Sequence, residues 1–137
     1  MTWRVPMTKK EFREIIYLDH LINSKLRLLD NLKSNRLQVK GMQIKSDVVQ
    51  VSKQGNRQED LIIKILDLEK EITKDIDNLI CEKKKAKTFI DKLDGPYKVI
   101  MSMRYLECMK WEEIAYRLDY SIQAVYKIHG QALKRVE

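Results

Sequence analysis

A chain of 137 residues is one domain's worth, or one small module on a long helical extension. Hydrophobic residues make up 44% and charged residues 34%, with only two Pro and four Gly. That balance suits a thin helical structure with much surface and argues against an all-β fold. The formal net charge of +7 favours an anionic partner, and its distribution is uneven: residues 1–58 carry a net +7, 59–95 a net −2 and 96–137 a net +2. Cys81 and Cys108 are too few for a disulfide framework and lack Cys-x-x-Cys spacing, so both read as small, buried or half-buried apolar residues. No apolar run approaches the ~20 residues that span a bilayer, and residues 1–7 lack a signal-peptide core, so a cytoplasmic location is expected.

In chain order, Trp3 and Val5 precede Pro6 and are candidates to fold back on helices. Thr8 is a candidate N-cap, with Glu11 three residues on to complete a capping box. From Lys9 to about Leu37, Ile15, Leu18, Ile22, Leu29 and Leu32 recur at helical spacing, and Phe12, Leu21, Leu26 and Leu28 widen the stripe. The stretch 40–56 lacks a helical period and reads as a connecting loop, with Val48, Val49 and Val51 able to form a short extended piece. A second long helix is expected from about Arg57 to Leu93. Its seam is Ile65, Leu68, Ile72, Ile76, Leu79, Lys83, Ala86, Ile90 and Leu93, in which Lys83 either snorkels to water or fixes register. Two helices this long must pack on each other, on a second subunit, or both. Residues 1–94 therefore read as a long antiparallel, coiled-coil-like hairpin and the expected site of homodimerisation.

Asp94-Gly95-Pro96 is the sharpest punctuation in the C-terminal half and marks the start of a second module over 95–137. Three short helices fit there: Pro96 to Leu106, with Val99, Ile100, Met103 and Tyr105 or Leu106 inward; Trp111 to Leu118; and Ser121, as N-cap, to about Val136. Between the last two, Ala115 supplies the small residue a close helix crossing needs. Val125 and Ile128 are spaced to meet Ile114 and Leu118, and Ala132 and Val136 continue the inward face. The fold class is thus all-α, a helical hairpin followed by a three-helix helix-turn-helix module. In such a module the last helix enters the major groove of double-stranded DNA. Gln123, Tyr126 and Lys127 are the candidates for base contact, Gln for adenine, Lys for guanine acceptors or a phosphate, and Tyr for a thymine methyl or a phosphate. Lys110, Arg117, Ser121, Gln131, Lys134 and Arg135 are the candidates for the phosphate backbone, which sets position but not sequence preference.

The run WEEIAYRLDYSIQAVYKIHGQALKRV resembles the region-4 helix-turn-helix of bacterial sigma factors, over residues 97–137. A larger part is similar to small prophage-encoded transcriptional regulators of Gram-positive bacteria of the RinA and ArpU type. The stretches that match are YLDHLINSKL at 17–26, IIKILDLEKEITKDIDNLI at 62–80 and YSIQAVYKIHGQAL at 120–133. The resemblance implies a regulator of phage late or structural-gene transcription, with RNA polymerase as a candidate further partner. Two departures from the sigma pattern matter. Asp119 stands at the turn position that is commonly Gly, and Asp tolerates the left-handed conformation better than most residues. Ile122, Gln123 and Ala124 stand where sigma factors place base-reading Arg and Glu, so a promoter −35 element read in the sigma manner is not implied. No counterpart of the sigma polymerase-binding and −10-reading helices is evident either.

His20 and His129 are far apart and sit in no cluster with metal-ligand spacing; there is no Gly-rich phosphate loop and no nucleophile motif. No metal, cofactor or enzymatic activity is therefore expected. His129 is expected to pack or hydrogen-bond at the edge of the last helix. Two alternatives to a regulator remain at the sequence level: a phage terminase small-subunit-like DNA-packaging protein, and an adaptor that grips polymerase or a host factor without touching DNA.

Overall fold

The computed structural model describes the backbone of residues 7–45 and 48–135, and the side chains of 7–35 and 56–135. All described elements are helical: α1 (Lys9–Lys45), α2 (Val48–Ile90), α3 (Gly95–Met101) running into a π-helical turn (Ser102–Leu106), α4 (Trp111–Leu118) and α5 (Ile122–Lys134). The first two pack as a long antiparallel hairpin, and the shorter helices follow. Two compact units result, Met1–Asp19 together with Asn78–Glu137, and His20–Asp77. The last quarter of α2 and the first turns of α1 thus belong with the C-terminal helices, whereas a boundary at 94/95 would have set them apart.

α1 begins as its sequence dictates. The Thr8 backbone N–H donates to Glu11 Oε1 at 3.3 Å, and the Glu11 N–H donates to Thr8 Oγ1 at 3.2 Å. This reciprocal capping box satisfies two amide donors that the helix leaves without intrahelical partners. Expectation and structure part company at the connection. α1 runs to Lys45 and α2 starts at Val48, so a loop over 40–56 is not formed and Val48, Val49 and Val51 lie in helix, not in an extended piece. The stretch holds three Gln and three Lys, good helix formers, and each of its two glycines costs only about 1 kcal/mol against Ala. A missing apolar period there does not exclude a helix. Residues 46–47 lie outside the described residues, as do Trp3, Val5 and Val136, and so do the side chains of the connecting stretch.

In the unit His20–Asp77, Leu29, Ile65, Leu68 and Ile72 form the buried cluster, with Leu32 and Leu61 partly covered against it. The seam of α2 is not the expected one in the next layer. Ile76 is 39% exposed, and Asp75, with a side chain only 16% exposed, takes the inward position. Its Oδ2 accepts a hydrogen bond from Lys25 Nζ at 2.6 Å across the hairpin. That bond raises the Lys25 pKa above its ordinary value, with Glu71 adding a smaller pull. A polar side chain can occupy a seam layer when a partner of opposite charge stands in the facing layer, and reading α2 alone hides that partner. Leu21, Leu26 and Leu28, expected to widen the α1 stripe, are exposed instead.

In the other unit, Phe12, Ile15, Ala86, Ile90, Ile100, Met101, Ile114, Val125 and Ala132 are fully buried. α2 ends in two short turns, where Lys92 N–H donates to Phe89 O at 3.1 Å and Leu93 N–H to Ile90 O at 2.9 Å. Leu93 therefore lies past the helix. Gly95 then takes a left-handed φ of 51°, which its missing Cβ permits, and Pro96 occupies the first turn of α3. Val99, expected inward, is exposed, while Met101 is buried outside the cluster that Ile100 joins. The helix is covered on more than one side, which a single-stripe reading could not anticipate.

A candidate nucleic-acid interface

Ile100, Met109, Ile114, Ala115 and Val125 form one buried cluster, and Met103, Trp111, Leu118, Ile122 and Ile128 close around it. Burying each large aliphatic side chain contributes about 1.5–3 kcal/mol, so this cluster fixes α4 against α5. Ala115 is nearly buried there, as the expected small residue at the crossing should be. The turn between the helices is made by Asp119, at φ 57° and ψ 42°, the left-handed region. Tyr120 N–H donates to Ala115 O at 3.0 Å and Asp119 N–H to Tyr116 O at 3.3 Å. This pair of bonds satisfies the last carbonyls of α4 in the Schellman manner, with Asp where Gly is usual. Two residues later Ser121 Oγ accepts from the Ala124 N–H at 3.1 Å and starts α5.

At 100° per residue, Gln123, Tyr126, Lys127, Gly130 and Lys134 share the outward face of α5. Gln123, Lys127 and Lys134 are exposed, and Tyr126 keeps 47% exposure with its ring edge-on to Trp111 at 5.4 Å. Lys110 is exposed at the N-terminus of α4, and Ser121 is exposed at the cap. Arg117 reaches the exposed Glu113 at 3.2 Å, one turn back. Gln131 and Arg135 sit to the side of the face. Gln131 Oε1 accepts from the Tyr97 hydroxyl at 3.2 Å, and the Arg135 guanidinium stacks over the Tyr97 ring at 4.2 Å. Their helical positions, 80° and 120° from Gln123, turn them toward α3. Ile122 and Ala124 are partly buried.

An aromatic and basic cluster behind α5 escapes a reading confined to apolar spacing. The π-helical turn, closed by Glu107 N–H to Ser102 O at 3.1 Å, directs two successive side chains into the unit. Tyr105 packs its ring 4.9 Å from Phe12 and sets its hydroxyl 2.7 Å from His129 Nε2. Arg104 donates to Met109 O at 2.8 Å and lies 4.4 Å over the Trp111 ring. His129 also meets Trp111 edge-on at 4.5 Å. Burial pushes the Tyr105 hydroxyl up to about 12, against a small opposing pull from Arg104 and Arg13. Burial, and then the Arg104 charge, push His129 down to about 4. His129 is therefore neutral at ordinary pH and works by packing and hydrogen bonding at the back of α5. The signal is present in the sequence, since Tyr126 and His129 are one turn apart and Arg104-Tyr105 stand six or seven residues from Trp111.

Among the described residues no group of three or more His, Cys, Asp or Glu is placed to hold a metal ion, and no helix is long and apolar enough to cross a membrane. The family described as a protein of unknown function (DUF1492) matches residues 38–137, most of the chain, and the chain belongs to that family. No curated protein and no solved structure matches the chain.

Proposed function

We propose that this member of the DUF1492 family is a sequence-specific DNA-binding regulator of phage or prophage transcription, with α5 entering the major groove. The observation that carries the reading is the geometry of the α4–α5 junction. A left-handed turn at Asp119 and a serine cap present α5 with its back buried and its outer face uncovered. On that face Gln123, Tyr126 and Lys127 are the base-reading set, in the N-terminal half of the helix where base edges are usually reached. Lys110, Ser121 and Lys134 grip phosphates, and Arg117 does so on exchanging Glu113 for a phosphate. Gln131 and Arg135 hold the helix to Tyr97, so their part in DNA contact is secondary.

The C-terminal segment 96–137 carries a net charge of only +2, too little for tight binding by one copy. Pairing two copies would double the footprint and add a second half-site. Exposed Leu21, Leu28, Ile63 and Leu66 in the unit His20–Asp77 are the apolar side chains that would drive a homodimer. The test is selection of bound fragments from phage and host DNA by the full chain, repeated with Gln123→Ala/Lys127→Ala. The reading expects an enriched motif that the double variant loses. Enrichment of no fragment, with retained binding to RNA polymerase, would make the protein an adaptor; a ring of eight or more subunits would point to DNA packaging.

A further inference from the structure

A cavity of about 440 Å³ opens where the first turns of α1 face the π-helical turn, α4 and α5. This lies within the ~300–1,000 Å³ typical of small-molecule sites. Its described lining has two chemical halves. Lys9, Arg13 and Arg104 bring positive charge, and no Asp or Glu is among the described lining residues. Tyr17, Tyr105, Trp111 and His129 bring aromatic surface. Arg104 is held in place by the Met109 carbonyl and by Trp111, yet its buried Nε has no hydrogen-bond partner among the described residues. That Nε is sealed from water, so an acid group in the cavity would meet the outer guanidinium N–H groups of Arg104 and Arg13, which can donate two parallel bonds to a carboxylate or phosphate.

We propose that this cavity binds a small planar aromatic anion, its phosphate or carboxylate on Arg13 and Arg104 and its ring among Tyr17, Trp111 and His129. Neither half of the lining explains the other. An anion site alone needs no aromatic wall, and an apolar pocket alone would not gather three cations. His129 and Leu133 carry the effect of an occupant into α5, since both line the cavity and both belong to that helix.

The proposal stands without the DNA-binding reading, and its test uses no DNA. Adenosine monophosphate and salicylate are titrated into the full chain by calorimetry, beside adenosine and inorganic phosphate. A Trp3→Phe background lets Trp111 emission report occupancy. Both aromatic anions are expected to bind at least about tenfold more tightly than either half-ligand, and Arg13→Gln to weaken them by about tenfold or more. Exposed Arg27, which lies in the other unit, is the control: Arg27→Gln should bind as the parent does. No saturation by either anion up to about 10 mM overturns the proposal, as does phosphate alone binding as well as both, or an unaffected Arg13→Gln. Binding that appears only after removal of residues 1–6 also overturns it, because the chain's own N-terminal segment is then the occupant.

Discussion

At the scale of single residues, Asp119 and Ser121 divide the junction between them, one ending α4 and the other starting α5. Ser121→Ala removes the acceptor for the Ala124 N–H and should cost about 1 kcal/mol in chemical denaturation, with Ser121→Asp retaining most of it. Asp119→Gly relieves a side chain held at φ 57° and should be neutral or stabilising by up to about 1 kcal/mol. A loss above that would mean the Asp side chain holds something more than the turn. Both residues are legible as turn and cap from the amino-acid sequence alone. The Tyr105–His129 pair is not, because it joins residues 24 apart through a π-helical turn that no periodicity announces.

The burial of His129, with the Arg104 charge beside it, sets a pH dependence. His129 is held at about 4, below its ordinary 6.5, so the unfolded chain takes up the proton first as pH falls. The stability this contributes is complete above the unfolded value and is lost as pH drops from 6.5 toward 4. After discount for partial exposure the loss is on the order of 2 kcal/mol. Thermal unfolding of the parent and His129→Gln across that window checks it: the parent should lose stability more steeply, and parallel slopes would contradict the assignment.

At the scale of elements, the hairpin shows what a one-helix reading can and cannot see. The layers Ile65, Leu68 and Ile72 are legible because apolar spacing alone specifies them. The next layer misleads because an isoleucine beside an aspartate looks like the obvious core residue. Asp75 faces inward only because Lys25 stands opposite, fifty residues earlier in the chain. Lys25→Met alone should lower the Tm, and Asp75→Leu in the same chain should recover it, since an unpaired seam charge is worse than an apolar pair. Equal Tm values for the single variant and the parent would show that the ion pair is incidental. The connection between α1 and α2 teaches the complementary lesson: its sequence carries no apolar period, yet the backbone on either side of residues 46–47 is helical.

At the scale of the whole molecule, apolar spacing and breaker placement make the all-α class and the α4–α5 pairing legible, and leave open which surfaces face a partner. Leu21, Leu28, Ile63 and Leu66 are 46%, 50%, 55% and 51% exposed, more apolar surface than an isolated hairpin gains from exposing. If a second copy covers them, sedimentation equilibrium should give a dimer, and Leu28→Glu/Leu66→Glu should give a monomer that keeps its helical content. A parent that is monomeric at DNA-binding concentrations would remove the dimer from the account.

Fluorescence anisotropy of the full chain on its selected duplex, over a range of salt concentrations, most directly tests the proposal that α5 reads DNA through Gln123, Tyr126 and Lys127. The logarithm of affinity should fall linearly with the logarithm of salt. Lys127→Ala should weaken binding and, if it meets a phosphate, reduce the slope by about 1 per copy. Gln123→Ala should cost about 1–3 kcal/mol on the selected duplex and little on a scrambled one. Affinities and slopes that neither substitution changes would contradict it.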